Sequence, residues 1–152
     1  IIQDNQIGVA GFSMGGMTTA GLLTHFPEIK AAAILMGSPN YKHFISRVKT
    51  YLINESTYPA TVFDDVLSWT KAFDLNEQPE KIDGRPLYFW HGTEDEKLPY
   101  EATFAFFDQH KDTTYGNNMS FETGVGEPHI LRIDIMNRTA DFFEEHLITK
   151  TY

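Results

Sequence analysis

Cysteine is absent from this chain of 152 residues. A disulfide scaffold, a thiolate metal site and a cysteine nucleophile are therefore all excluded. The same absence fits a reducing compartment, and we expect a cytoplasmic protein. Long apolar runs are absent as well, because no stretch of the sequence approaches the length of a membrane span. We therefore expect no partnership with a membrane through a spanning helix.

Positive charge is scarce in this sequence. Lys and Arg together number 12 against 21 Asp and Glu, which gives a formal net charge of −9. Nucleic acids and anionic membrane surfaces are polyanions and would be repelled by this excess, so we expect neither as a partner. The chain also begins Ile1-Ile2 without a methionine. We therefore expect it to be the continuation of a longer sequence.

Apolar residues are plentiful and are arranged for a folded domain. Hydrophobic residues make up 41% and aromatic residues 14% of the sequence, enough for one domain with a packed core. Short apolar runs over 7–12, 31–36 and 86–90 predict three strands buried on both faces. Alternation of apolar and polar residues over 119–121 predicts a fourth, shorter strand.

Helical periodicity separates the predicted strands. Residues 14–26 form a predicted helix rich in small side chains, a second helix begins near Pro99, and a last one follows residue 129. Residues at about 41–80 show helical spacing and are interpreted as a helical insert between two strands. Strands that alternate with helices form a parallel sheet covered on both faces. The predicted fold class is therefore α/β.

The motif Gly11-Phe12-Ser13-Met14-Gly15-Gly16 directly follows the first predicted strand. It matches the G-x-S-x-G nucleophile elbow, a sharp strand-to-helix turn that exposes a serine hydroxyl. The serine backbone is strained in such a turn, so we expect Gly11 and Gly15 to supply clearance on either side of it. Gly16 is expected to let the helix approach the sheet. The alternative is a glycine-rich turn of a non-catalytic domain, in which Ser13 is only a small residue.

A serine nucleophile needs a base, and the base needs an orienting carboxylate. In an open parallel sheet both are expected in loops at the carboxyl ends of later strands. Asp95 follows the third predicted strand, and His129 follows the fourth. Glu94 and Glu96 are alternatives to Asp95, and an exposed loop histidine is the alternative for His129. The chain order is serine, acid, histidine, as in α/β-hydrolases.

The remaining five histidines show no spacing typical of metal ligands or of a second base. His91 ends the third predicted strand, and we expect it to pack or hydrogen-bond so that it holds the loop of Asp95. The others fall in helical patterns and are interpreted as structural or surface residues: His25, His43, His110 and His146. We expect no metal and no cofactor.

The segments GFSMGG, HGTEDEKLP and GEPH resemble the α/β-hydrolase superfamily. Within it they are most similar to small bacterial serine esterases related to the dienelactone hydrolases and the prolyl-oligopeptidase-like enzymes. The resemblance implies a nucleophile at Ser13 and a first oxyanion N–H at Met14. It also implies an acid at Asp95 and a base at His129. Dienelactone hydrolase itself uses a cysteine nucleophile, so that activity is not expected of a chain with serine at this position.

The resemblance also implies an incomplete fold. An α/β-hydrolase sheet is mostly parallel, and this chain holds only about the later four strands, with flanking helices and a helical insert. Residues 1–152 are therefore expected to be the C-terminal part of a single α/β-hydrolase domain. The upstream half would pair with the strand at 7–12 and donate the second oxyanion N–H. We expect that half, or a second copy in a homodimer, to cover the exposed sheet edge.

The predicted function is a serine hydrolase that cleaves small carboxylic esters through an acyl-enzyme. A peptidase or thioesterase with the same residues is one alternative, and a non-catalytic fragment that associates through its sheet edge is the alternative from another class. Because one oxyanion donor is missing, we expect the isolated chain to be weakly active or inactive. Candidates for an acyl pocket are Tyr41, Phe44 and Trp69, although aromatic residues at helical spacing also form cores.

Overall fold

The computed structural model of the protein describes residues 6–55 and 59–148. Its sheet contains four parallel strands in the order β1-β2-β3-β4. The strands are β1 (Ile7–Phe12), β2 (Ile29–Leu35), β3 (Leu87–Gly92) and β4 (Met119–Gly124). The predicted α/β class is confirmed. Because the strands are parallel, their carboxyl ends all lie at the same end of the sheet.

Within the described residues, five α-helices connect or flank the strands. They are α1 (Met14–Leu23), α2 (Tyr41–Glu55), α3 (Ala60–Thr70), α4 (Tyr100–His110) and α5 (Ile133–Leu147). None of the helices in the described part of the chain is both long and apolar enough to cross a membrane. The first helix ends at Leu23 rather than at residue 26, because the N–H of Thr24 closes a tighter turn onto Gly21 O at 3.2 Å.

The helices cover both faces of the sheet, as a parallel sheet requires. One apolar cluster joins α1 and α4 to the sheet through Leu23, Phe106 and Phe89. The cluster on the other face joins α5 to the sheet through Phe142 and Trp90. The central strands β2 and β3 are consequently buried along almost their whole length, as their sequences predict.

Strand β1 departs from the prediction of a strand buried on both faces. It lies at the edge of the sheet, and its residues are exposed or half-buried, with Ile7 retaining 44% of its accessible surface. The burial predicted from the apolar run is not found, because β2 is the only partner of β1 within the described residues; the exposed edge agrees with the expectation that this chain lacks the strand on the other side. Main-chain hydrogen-bonding groups therefore face outward along this edge.

The helical segment predicted at about 41–80 lies between β2 and β3. It contains α2, α3 and three short 3₁₀ turns, which are Lys71–Phe73, Leu75–Glu77 and Pro79–Ile82. Asp74 is 1% exposed and accepts hydrogen bonds from the N–H groups of Lys42 (2.9 Å) and Asn76 (3.1 Å). Burial raises the pKa of Asp74. This side chain ties the first turn of α2 to the 3₁₀ turns that end the segment.

Candidate active site

Ser13 occupies the turn between β1 and α1 with a strained backbone, φ 57° and ψ −119°. A residue with a Cβ pays on the order of 1–3 kcal/mol for such a conformation, which the surrounding contacts must offset. The turn is held on both sides, because Ser13 N–H donates to Leu35 O at 2.9 Å and Ser13 O accepts from Met17 N–H at 3.1 Å. The strain predicted for an elbow is therefore observed at this residue.

The glycines around this turn differ in what they contribute. A Cβ on Gly11 would lie 2.0 Å from Gly15 O, and a Cβ on Gly16 would lie 2.9 Å from Gly37 Cα. Gly11 therefore supplies the predicted clearance, and Gly16 lets α1 approach the chain after β2. Apart from its chain neighbours and the backbone of its own helix, a Cβ on Gly15 would meet no atom of the described residues within 4 Å. The predicted need for glycine at position 15 is wrong for the described residues, because the crowding there involves the Gly15 carbonyl.

Three side chains form a continuous hydrogen-bonded series, which we call the serine–histidine–aspartate row. Ser13 Oγ lies 2.8 Å from His129 Nε2. His129, in the histidine loop (residues 125–129), places Nδ1 2.7 Å from Asp95 Oδ2. An ionised carboxylate only accepts hydrogen bonds, so Nδ1 carries the proton and Nε2 is left to accept from the serine hydroxyl. The structure thus brings together the three residues that the sequence predicts for the site.

Asp95, in the acid loop (residues 93–98), is the carboxylate that reaches His129, while its two glutamate neighbours are exposed. The carboxylate is fully buried. Its Oδ1 accepts hydrogen bonds from the backbone N–H groups of Lys97 and Leu98, each at 2.9 Å. These two bonds restrict rotation of the carboxylate and turn Oδ2 toward the imidazole. Of the three acidic residues considered for this loop, Asp95 is therefore the one that hydrogen-bonds to His129.

The acid loop and the histidine loop are bonded directly to each other. Thr93 Oγ1 accepts a hydrogen bond from Gly126 N–H at 2.8 Å. Glu94 N–H donates to Glu127 O at 3.0 Å. The sequence analysis did not predict these bonds. The glycine at position 92 could have indicated that the two loops approach closely, because a Cβ there would lie 2.2 Å from Glu127 O. The direct bonding holds the acid and the histidine at a set separation.

His91, in β3, approaches Asp95 from within the sheet. Its side chain is 0% exposed, and Nε2 lies 3.1 Å from Asp95 Oδ2 and 2.8 Å from Leu98 O. The expectation that His91 hydrogen-bonds to the loop of Asp95 is confirmed. Burial lowers the pKa of His91 and outweighs the opposing effects of the hydrogen bond with Leu98 O and of the nearby Asp95 carboxylate. The ring is therefore neutral at pH 7.

Met14 is the first residue of α1 and directly follows Ser13. Met14 is 66% exposed. Its backbone N–H, not its side chain, is therefore the group of interest for the site. N–H groups in the first turn of a helix have no acceptor within that helix, and the helix dipole adds partial positive charge there. This arrangement suits an oxyanion donor. The part that Met14 N–H plays in a reaction stays a prediction.

The predicted acyl-pocket residues lie in α2 and α3. The hydroxyl of Tyr41 donates to Met17 O at 2.8 Å and so attaches α2 to α1. Phe44 is half-buried, and Trp69 is 77% exposed. Among the described residues, no hydrogen bond or ring contact connects any of these three side chains to the serine–histidine–aspartate row. Their contribution to substrate binding stays a prediction.

An open cleft beside His129 is dominated by negative charge. Besides Asp95 and His129, its walls are formed by Thr93, Glu94, Glu96, Lys97, Glu101 and Pro128. An anionic ligand would therefore be repelled from this side of the site. Residues 6–55 and 59–148 contain no group of three or more His, Cys, Asp or Glu side chains placed to hold a metal ion.

Comparison with known proteins identifies both a family and a fold. The sequence model described as "Prolyl oligopeptidase family" matches residues 1–149. The chain is similar to the Bacillus subtilis (strain 168) protein named "Putative esterase YitV", with 34% identity over 152 residues that cover 97% of this chain and 60% of that protein. It is also similar to "Esterase YjfP" of Escherichia coli (strain K12), with 24% identity over 144 residues that cover 95% of this chain and 58% of that protein.

A similar fold occurs in the crystal structure of TT1662 from Thermus thermophilus. The TM-score is 0.71 at 17% identity, and the match covers 94% of this chain and 55% of that one. Together with the four parallel strands, such neighbours confirm the predicted α/β-hydrolase fold. The chain spans about 60% of the length of the curated relatives it matches.

Proposed function

Because the chain belongs to the prolyl oligopeptidase family, we propose that it is a serine hydrolase that cleaves carboxylic esters. The observation that carries the proposal is the serine–histidine–aspartate row, in which Ser13 Oγ lies 2.8 Å from His129 Nε2. At this distance an imidazole can take the hydroxyl proton as the serine oxygen attacks. The two curated relatives are both named as esterases, which favours an ester as the substrate.

The proposed reaction proceeds through an acyl-enzyme. Ser13 Oγ attacks the carbonyl carbon of the ester, and His129 Nε2 takes the hydroxyl proton. The tetrahedral intermediate then expels the alcohol, which receives that proton from His129. Water attacks the acyl-serine with His129 again acting as base, so that the acid is released and Ser13 is restored. Asp95 keeps the imidazole in the tautomer with a proton on Nδ1 and stabilises its cation.

The oxyanion of the intermediate is proposed to bind at the N-terminus of α1. Met14 N–H is one donor, and in α/β-hydrolases the second comes from a loop after an earlier strand. Loss of one such donor costs about 2.7–4 kcal/mol of transition-state stabilisation. We therefore expect the 152-residue chain to turn substrate over slowly when it is alone.

The outer edge of β1 is proposed to be covered in the active protein. Ile7 and Phe26 are 44% and 47% exposed, and they form an apolar groove with Leu22 and Ile29. An exposed strand edge beside apolar side chains favours association. We propose that upstream sequence of a longer chain, or a second copy of this chain, pairs there.

Peptide hydrolysis is a second candidate, because the matching family is that of prolyl oligopeptidase. The same row would acylate Ser13 from an amide, with an amine as the leaving group. Paired substrates with one acyl group, offered as a p-nitrophenyl ester and as a p-nitroanilide, would separate the two candidates. We expect the ester to be strongly preferred, and a preference for the anilide would favour the peptidase.

Covalent labelling of Ser13 tests the proposed function. We expect the purified chain to take up one equivalent of a fluorophosphonate, measured by intact mass, because the reagent reacts with serines that a base activates. The variant S13A should take up none. The matched control is S46A, which removes an exposed serine of α2 and should label like the parent chain.

Two results would bear against this proposal. Labelling that persists in S13A would show that another residue reacts. If neither the 152-residue chain nor a chain extended upstream takes up the reagent, the hydrolase assignment is wrong and the non-catalytic interpretation gains support. Labelling of the extended chain alone would show that the site depends on residues outside this sequence.

A further inference from the structure

Met36, the residue directly after β2, has a left-handed backbone with φ 46°. In the described part of the chain, the residues other than glycine with a positive φ are Ser13, Met36 and Asp83. Ser13 forms the strained serine turn, and aspartate adopts this region more readily than most residues do. Neither reason applies to methionine. Glycine would adopt this conformation without strain, so the methionine side chain must contribute something that offsets it.

The peptide unit between Leu35 and Met36 joins the serine turn to β3. Leu35 O accepts a hydrogen bond from Ser13 N–H at 2.9 Å. Met36 N–H donates to Trp90 O at 2.7 Å. Trp90 lies two residues before Gly92, which directly precedes the acid loop. One peptide unit therefore holds the backbone of Ser13 at a set distance from the strand that leads into the acid loop.

The chain after Met36 is held as firmly as the chain before it. A Cβ on Gly37 would lie 2.7 Å from Gly16 Cα, so the backbone packs directly on α1. Gly37 O also accepts a hydrogen bond from Thr103 Oγ1 of α4 at 3.0 Å. These contacts on both sides of position 36 fix its backbone in the left-handed region whichever residue stands there. They explain the turn but not the presence of a large side chain.

The Met36 side chain extends to the place where the acid loop and the histidine loop meet. A Cβ on Gly92 would lie 2.9 Å from Met36 Cε and 2.2 Å from Glu127 O. Gly92 directly precedes the acid loop, and Glu127 belongs to the histidine loop. Met36 is 0% exposed and shares an apolar cluster with Ile135 in the first turn of α5. Its side chain therefore fills the space beside both loops.

We propose that Met36 is a positioning residue for the serine–histidine–aspartate row. Its peptide unit holds the serine turn, and its side chain supports the two loops, so that Ser13 Oγ stays within hydrogen-bonding distance of His129 Nε2. The inference rests on the proposed function, since it concerns the geometry of that row. A displacement of about 1 Å between reacting groups can cost about 100-fold in rate, so a buried support of this kind has a measurable effect.

The order of stability of two variants tests the strain at position 36. M36G should unfold at a higher urea concentration than M36A, because glycine adopts a positive φ without strain. Met119 is the matched control, since it is also buried, at 9% exposed, but lies in β4. There M119A should unfold at a higher urea concentration than M119G, because glycine is unfavourable in a strand. The opposite order at the two positions separates the backbone effect from the loss of the side chain.

The rate of fluorophosphonate labelling of the folded protein tests the positioning role. M36A should label about 10- to 100-fold more slowly than the parent chain. M36L keeps most of the buried volume and should label at close to the parent rate. M119A removes the same side chain at the amino end of β4, away from the row, so it should lose stability but label like the parent. If M36A does not fold, M36G replaces it, because it lacks the same side chain without the strain.

Turnover of a p-nitrophenyl ester gives a second readout. The loss in M36A should fall on kcat, with KM within about twofold of the parent value. The reason is that a side chain that is 0% exposed does not contact the substrate. A purely structural role would lower the folded fraction and leave kcat per folded molecule unchanged.

Four results would overturn the inference while the proposed function stands, because the parent chain still labels at Ser13 in each. These are parent-like labelling of M36A, equal slowing in M119A, no recovery in M36L, and M36G no more stable than M36A. If the 152-residue chain does not label, the same variants are made in the chain extended upstream. Absence of labelling there as well is a failure of the proposed function, and this inference then fails with it.

Discussion

The D95N variant is expected to label with fluorophosphonate more slowly than the parent chain by a factor on the order of 10⁴. In the parent, backbone N–H groups hold Asp95 Oδ1, so the amide oxygen of D95N should take that place. The amide NH₂ would then face His129 Nδ1 and donate to it. The imidazole would be forced to carry its proton on Nε2, where it could no longer accept the proton of Ser13.

Glutamine variants of the two neighbouring glutamates serve as controls for this substitution. Glu94 and Glu96 flank Asp95 in the acid loop and are exposed. E94Q and E96Q therefore remove the same charge nearby without touching the row, and they should label within about twofold of the parent, since exposed charges act weakly through water. The measurement is the second-order rate constant of Ser13 labelling. If D95N labels at the rate of the parent while E94Q or E96Q labels much more slowly, the glutamate replaced in that variant, and not Asp95, is the acid of the site.

The G11A variant is expected to lose about 3 kcal/mol or more of stability and to label at least a hundredfold more slowly. Its new Cβ would lie 2.0 Å from Gly15 O, and a backbone carbonyl cannot move aside as a flexible side chain can. Either β1 or the first turn of α1 must shift. Because Ser13 lies between them, its hydroxyl would leave hydrogen-bonding range of His129. Urea unfolding and labelling rates measure the two effects.

The G15A variant is the matched control from the same motif. Gly15 lies in α1, and within the described part of the chain its Cβ would meet no atom closer than 4 Å outside the neighbouring backbone of that helix. Alanine is favoured over glycine in a helix, so we expect G15A to gain roughly 0.5–1 kcal/mol and to label like the parent. Losses in G15A that equal those in G11A would contradict the geometry of the turn described here.

Much of the fold can be predicted from the sequence because its signals are local. The apolar runs at 31–36 and 86–90 become the buried strands β2 and β3, and the helical spacing over about 41–80 becomes α2 and α3. The candidate site could be predicted for a related reason. Ser13, Asp95 and His129 each follow a strand, and parallel strands end at the same end of a sheet.

The errors concern properties that depend on distant neighbours. The pattern of β1 predicts burial, but burial requires a strand on each side, and β1 has one partner in the described residues. Gly15 fits the elbow motif, yet its surroundings leave room for a side chain.

The sequence by itself determined the order of strands and helices, the strained serine turn and three residues able to form a hydrogen-bonded series. These follow from side-chain type, local spacing and chain order. Only the tertiary structure decided which carboxylate reaches His129, which glycine is crowded, and that the buried His91 ring bonds the carbonyl of Leu98. Those outcomes depend on atoms that are far apart in the sequence and meet within about 3 Å, and such distances exist only once the loops are packed.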